Sequence, residues 1–236
     1  MSDTINLYEK KIHSQNGEDG IIEELFSRIG TTNKFFVEFG VQDGLECNSA
    51  YLSLFKNWSG LMIEGNAANY EKLRANFFAY PAVKTAHQFI TRDNIVSIFR
   101  SMHVPVTFDL LSIDIDGNDY WVWEALSEYK PRVVVIEYNA SFPPPKKMVV
   151  QYNPNFAWDG TSYYGASLTS LSGLGKKLGY SLIGTDARGV NSFFIRSDLI
   201  TASRFPALSP EQAYHAPSYG PYKGGHPWRD GPYLEI

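Results

Sequence analysis

Four apolar runs in this chain stop at carboxylates, and stretches of helical pattern separate them. Phe35–Phe39 carries Glu38 and leads into the glycine-bounded turn Gly40-Val41-Gln42-Asp43-Gly44. Leu61–Glu64 ends on an acid, Phe108–Ile115 carries Asp114 and runs into Asp116-Gly117-Asn118-Asp119, and Val133–Tyr138 carries Glu137 ahead of Asn139. Helical spacing occupies Glu18–Arg28, Asn48–Phe55, Ala67–Phe78, Asp93–Met102, Tyr120–Leu126 and Leu168–Leu178; in the first of these Ile21, Ile22, Leu25 and Phe26 share a face. Ala82–Ala86, Tyr180–Ile183 and Asn191–Arg196 read as further strands. Such alternation predicts an α/β fold with a doubly wound, mostly parallel sheet.

In open sheets of this kind ligands bind beyond the carboxyl ends of the strands, so the residues there carry the functional reading. Gly40 and Gly44 allow positive φ and close approach of a ligand to the main chain. A strand, a glycine turn and an acid about 20 residues further on form a nucleoside-binding unit, with Glu64 placed to accept hydrogen bonds from ribose hydroxyls. The turn departs from the dinucleotide pattern G-x-G-x-x-G, because Gln42 stands at the middle glycine. Glu38 would repel a pyrophosphate and suits a cationic ligand such as an ammonium or a sulfonium. Asp114, Asp116 and Glu137, at adjacent strand ends, are the candidate catalytic carboxylates. Their mutual repulsion calls for a proton or a cation. Oxygen donors without His or Cys suit Mg²⁺ or Mn²⁺, with Asp114, Glu137 and Asn139 as candidate ligands. A metal-free site in which one carboxylate is a general base is the rival use. Helix capping accounts for part of the Asp116–Asp119 run.

Composition narrows the classes. A chain of 236 residues, 44% hydrophobic, can bury a sizeable core, and a net charge of −4 argues against a nucleic-acid-coating surface. No apolar run reaches membrane-spanning length, the N-terminus lacks the basic-then-apolar pattern of a secretory signal, and the single Cys47 excludes an internal disulfide. A cytoplasmic protein is expected.

The motifs together resemble those of class I S-adenosylmethionine-dependent methyltransferases, within them the FkbM-like branch. Ser14-Gln15-Asn16-Gly17-Glu18-Asp19 looks like that branch's S-Q-x-x-E-D entry, and Phe36–Gly44 like its first cofactor motif. Ile113-Asp114-Ile115-Asp116-Gly117-Asn118-Asp119 is similar to its I-D-V-E-G-x-E, with Asp replacing both Glu residues. Pro131–Glu137 looks like its P-x-x-x-x-x-E strand, and Asn191–Arg196 resembles its closing N-x-F-F-V-R strand. The resemblance implies a single Rossmann-like domain with a seven-stranded sheet whose last strand is antiparallel. It implies S-adenosyl-L-methionine as cofactor, with Glu38, Gly40 and Gly44 around the methionine part and Glu64 on the ribose. Gln15 and Asp19 would close over it, His87 would meet the adenine, and Asp114 is counted among the cofactor contacts as well. A small-molecule acceptor, sugar-like or a natural product, methylated on a hydroxyl, is the implied substrate.

Around this frame, residues 1–30 read as an N-terminal cap, 141–165 as a lid-like insertion rich in proline and aromatics, and 206–236 as an irregular tail. Of the five histidines His87 is placed best, and a lone loop histidine such as His226 is more often a surface residue. Two alternatives use the same fold: a nicotinamide-dependent oxidoreductase, against which the missing glycines and Glu38 argue, and a non-catalytic nucleoside-binding module, against which the retained carboxylates argue.

Overall fold

A computed structural model describes residues 3–221 and 223–236. Its centre is a seven-stranded sheet built from β1 (Phe35–Phe39), β2 (Ser59–Glu64), β3 (Val83–His87), β4 (Thr107–Ile113), β5 (Lys130–Glu137), β7 (Tyr180–Thr185) and β8 (Asn191–Arg196), in the order β3-β2-β1-β4-β5-β8-β7. The strand of this sheet that comes last in sequence, β8, runs antiparallel to both neighbours, and the other pairings within the sheet are parallel. This is the Rossmann-like methyltransferase fold that the alternation and the resemblance led us to expect.

Side chains alternate across the central strands, so the sheet has two apolar faces. Val37, Phe39, Leu111, Ile113, Val134 and Ile136 face one layer, with Phe99, Trp123 and Leu171 from α4 (Ile95–Ser101), α5 (Asp119–Ala125) and α6 (Leu168–Leu178) packed against them. Phe36, Met62, Leu110, Val133 and Phe193 face the other, against Leu25 of α1 (Glu18–Ile29), Leu52 of α2 (Ala50–Phe55) and Leu73 of α3 (Ala67–Asn76). Local chemistry sets the helix ends. The Asn66 side chain accepts from the amides of Ala68 and Asn69 to start α3, Ser167 starts α6, and Gly179 at φ 92° ends it.

Successive strands are laid down to either side of β1, so the crossover direction reverses between β1 and β4. Ligands gather at such a switch point. The strands end level there: Phe39 pairs with Ile63, Glu38 with Ser112, and Ile113 with Ile136.

The insertion and the tail hold more order than their composition suggests. Met148–Val150 of the insertion forms β6, which pairs antiparallel with β9 (Tyr233–Glu235) at the end of the chain. The tail also contains α8 (Pro210–Ala213), started by a Ser209/Gln212 capping box, after a short α7 (Ile200–Ser203). Among the described residues no helix is long and apolar enough to cross a membrane.

Candidate functional site

Two cavities meet at the carboxyl ends of β1 and β4. The first, about 420 Å³, is lined by Glu64 and Asn66 after β2, Gln88, Phe89 and Ile90 after β3, and Ile115 and Asn118 after β4. Phe156 from the insertion closes it, its ring lying over Gly117, where a Cβ would come within 2.3 Å of Cδ1. Glu64 is held in place from both sides: Oε2 accepts from the Gln42 amide at 2.8 Å and Oε1 from the Asn66 amide at 2.6 Å.

The turn after β1 brings backbone into the middle of the site. Gly40 sits at φ +69°, its amide donates to the Ile63 carbonyl, and a Cβ there would lie 1.8 Å from the carbonyl oxygen of Asp114. Only glycine permits β1 and β4 to approach this closely while the chain turns. Gly40, Gln42, Asp114 and Asp116 line both cavities, so the two adjoin across a shared wall.

The second cavity, about 340 Å³, is acidic. Glu38, Asp114, Asp116 and Glu137 enter it from the sheet, and Glu18 from the start of α1. Glu38 is buried and has its oxygens bonded: Oε1 accepts from the Asn48 amide and Ser112 Oγ, and Oε2 from the Ser49 amide. Burial pushes its pKa up, and these bonds pull the other way. Asp114, Asp116 and Glu137 each bring a carboxylate oxygen within 4.8 Å of the others. The pKa values of Asp114 and Glu137 lie well above the usual carboxylate range, first through burial in both, then through the charges of Asp116 and Asp119 on Asp114 and those of Asp114 and Asp116 on Glu137. That of Asp116 is raised to about 6 by burial and the charges of Asp119 and Glu64. Asp116 also adopts φ 53°, a left-handed conformation uncommon for a non-glycine residue. Asp119 is the builder of this turn, since its carboxylate accepts from the amides of Ile115 and Gly117.

The roof of the acidic cavity comes from outside the sheet. Trp158 of the insertion and Tyr219 and His226 of the tail line it. The His226 ring lies 4.6 Å from Trp158 and 5.2 Å from Tyr219, and the Tyr219 hydroxyl meets that of Tyr164 at 2.6 Å. Burial lowers the His226 pKa, which favours the neutral imidazole.

The structure gathers Gln15, Glu38, Gly40, Glu64, Asp114, Asp116 and Glu137 around the adjoining cavities and turns four other expected residues away. Asn139 is no metal ligand: it is fully buried, its Nδ2 donates to the carbonyls of Ser162 and Tyr164, and its Oδ1 accepts from the Ser141 amide. Asp19 does not reach either cavity, because its Oδ2 accepts from the amides of Ile12, His13 and Ser14 and ties that loop to α1. Its neighbour Glu18 faces the cavity instead, bonded by Asn16 and Asn191. Gly44 packs against α3, where a Cβ would come within 2.5 Å of Leu73 Cδ1. His87 stacks on Tyr70 outside the cleft, and the residues after it, Gln88 and Phe89, form the wall assigned to it. The aromatic density of the insertion, which carries Trp158, and of the tail segment Tyr214–Trp228 is the sequence signal for one shared wall, although it does not single out Tyr219 or His226.

Comparison with known proteins gives a consistent fold. No protein-family profile matches the chain, and no curated protein matches it in sequence. Among solved structures it is similar to a putative caffeoyl-CoA O-methyltransferase from Staphylococcus aureus, at 14% identity and a TM-score of 0.50, over 75% of this chain and 81% of that one. It also overlays on the N-terminal domain of EvdMO1 with SAH bound, at 11% identity and TM-score 0.47 over 75% and 79%. A third is an S-adenosylmethionine-dependent methyltransferase from Clostridium acetobutylicum ATCC 824, at 10% and 0.47 over 75% and 89%. With the strand order above, the likeness to the Staphylococcus aureus structure places this chain in the α/β Rossmann-like methyltransferase fold.

Proposed function

We propose that this protein is an S-adenosyl-L-methionine-dependent methyltransferase, of the FkbM-like kind suggested by its motifs, that methylates a hydroxyl of a small molecule. The observation that carries the reading is that the two cavities lie side by side and share Gly40, Gln42, Asp114 and Asp116. One cavity has the parts of a nucleoside site, with Glu64 for the ribose and Phe89, Ile90 and Phe156 for a flat base. The other is acidic and suits the cationic end of the cofactor beside an acceptor. The cofactor supplies a methyl group on a sulfonium. The chain's residues align donor and acceptor and keep water out, and a carboxylate of the Asp114/Asp116/Glu137 group, with its raised pKa, receives the hydroxyl proton. A nicotinamide dinucleotide fits less well, since its pyrophosphate would lie against Glu38, Asp114 and Asp116 at the switch point.

The carboxylate group also fits a divalent cation. Three acidic oxygens lie within 4.8 Å of one another, and Glu137 Oε2 is buried with no partner among the described residues. Mg²⁺ or Mn²⁺ held by Asp114, Asp116 and Glu137 would neutralise the group and lower the pKa of a neighbouring hydroxyl. If so, Mg²⁺ raises the melting temperature of EDTA-treated protein and does not raise that of Asp114→Asn; equal shifts in both place the ion elsewhere.

The cofactor reading is tested by melting the protein with S-adenosylhomocysteine and with NAD. At about 100 times its dissociation constant a ligand adds roughly 2.7 kcal/mol of apparent stability. A shift with S-adenosylhomocysteine alone supports the reading, and a shift with NAD alone overturns it.

A further inference from the structure

Two buried oxygens among the residues that line the acidic cavity have no hydrogen-bond partner, and they specify what enters. Among the described residues four buried side-chain oxygens have no hydrogen-bond partner: Asp19 Oδ1, Glu137 Oε2, Thr169 Oγ1 and Asn191 Oδ1. Glu137 and Asn191 line the acidic cavity. Asn191 is 5% exposed, and its orientation is set by its amide, which donates to Glu18 Oε1 at 2.8 Å, leaving Oδ1 as the free end. A buried polar atom without a partner costs about 1–3 kcal/mol, so both oxygens await a donor.

In the methyltransferase reading the cofactor's reactive end lies at Gly40, beyond β1, whereas Glu137 ends β5 and Asn191 starts β8. The backbones of those strands lie two and three places from β1, about 10 and 14 Å away at ~4.8 Å per strand, and the Glu137 carboxylate reaches back to within 4.8 Å of that of Asp114. No Lys or Arg is among the described residues that line the cavity, and Glu18 adds a further carboxylate beside Asn191. The same cavity is lined by the aromatic rings of Trp158 and Tyr219, a residue type that attracts cations through its ring quadrupole. The charged groups lining the cavity are all carboxylates, so its field favours a cation over an anion.

Building on the methyltransferase reading, we propose that the acceptor is a hydroxylated molecule carrying a protonated amine. Its ammonium takes the place of a divalent cation at Glu137, donating to Glu137 Oε2 and Asn191 Oδ1 in the cavity that Trp158 and Tyr219 also line. An amine supplies the donors that the orphan oxygens lack and offsets part of the cavity's carboxylate charge. A carboxylated or phosphorylated acceptor brings acceptors to acceptors and is repelled.

Three sugars of one ring shape test this: D-glucosamine at a pH where its amine is protonated, D-glucose and D-glucuronate. Each is titrated calorimetrically into protein saturated with S-adenosylhomocysteine, in EDTA so that no metal occupies the carboxylates. Glucosamine binds at least about tenfold tighter than glucose, as a charge-assisted hydrogen bond predicts, and glucuronate binds weakest. In Glu137→Gln the preference for glucosamine over glucose disappears. Equal binding of glucosamine and glucose, tighter binding of glucuronate, no binding of any of the three, or a preference that survives in Glu137→Gln overturns the proposal. The same series without S-adenosylhomocysteine separates the two claims: failure of the cofactor to bind counts against the methyltransferase reading, while the order of the sugars still decides the amine.

Discussion

Replacing Gly40 by alanine strikes the point where β1, β4 and both cavities meet. Gly40 holds φ +69°, and a side chain in that region costs about 1–2 kcal/mol. The added Cβ would also lie 1.8 Å from the Asp114 carbonyl oxygen, a contact with backbone that no rotamer can relieve. Relief requires β4 to move from β1, and overpacking of this kind costs about 1–3 kcal/mol. Gly40→Ala therefore loses roughly 2–5 kcal/mol, against about 5–15 kcal/mol for a typical domain. Because Asp114 is displaced with its carbonyl, S-adenosylhomocysteine affinity falls as well, by on the order of tenfold or more. Gly44→Ala is the control. Its Cβ would meet the Leu73 and Phe77 side chains at 2.5 and 2.6 Å, so it destabilises the packing of α3 while leaving the cavities' shared wall intact. Urea melts and titration calorimetry on both variants read the two effects separately. A Gly40→Ala protein with wild-type stability and wild-type affinity refutes the close approach and the site built on it.

Two further outcomes follow from the carboxylates. Glu64→Gln keeps one oxygen acceptor for the loop amides but loses the charge, and weakens S-adenosylhomocysteine binding by roughly tenfold in calorimetry; unchanged affinity removes Glu64 from the ribose site. The raised pKa of Asp116 makes the ligand-free protein less stable as pH rises from about 4 through about 6, because the folded state holds the proton more tightly than the unfolded one and loses that advantage on ionisation. Asp116 is solvent-screened, so its share is on the order of 1 kcal/mol. Asp116→Asn flattens that slope in melts across this range, and an undiminished slope in the variant would show that other groups set it.

The sheet was legible because its strands are short apolar runs with local boundaries: Phe35–Phe39 and Asn191–Arg196 are strands and Leu168–Leu178 is a helix over the bounds read from sequence. Strands β6 and β9 escaped notice since each is three residues long and finds its partner across more than half the insertion-to-tail sequence, where periodicity carries no information. Site residues slipped by small steps. The β2–β3 ladder continues one residue further, with the Gln88 amide donating to the Glu64 carbonyl, and so moves the base-side wall past His87. On α1, adjacent residues point about 100° apart, so Glu18 faces the cavity while Asp19 faces back to the entry loop. Asn139 sits beyond the last residue of β5, where the chain has turned and the amide fastens the insertion instead. His226 looked like a surface residue because nothing local reveals that Trp158, Tyr164 and Tyr219 surround it.

The most direct measurement is a crystal structure of the protein with S-adenosylhomocysteine. It should show the ribose hydroxyls on Glu64, the base between Phe89, Ile90 and Phe156, and the sulfur beside Gly40 and Asp114, facing the acidic cavity. A nucleoside bound elsewhere, or the same ligand with its sulfur turned away from that cavity, would contradict the account.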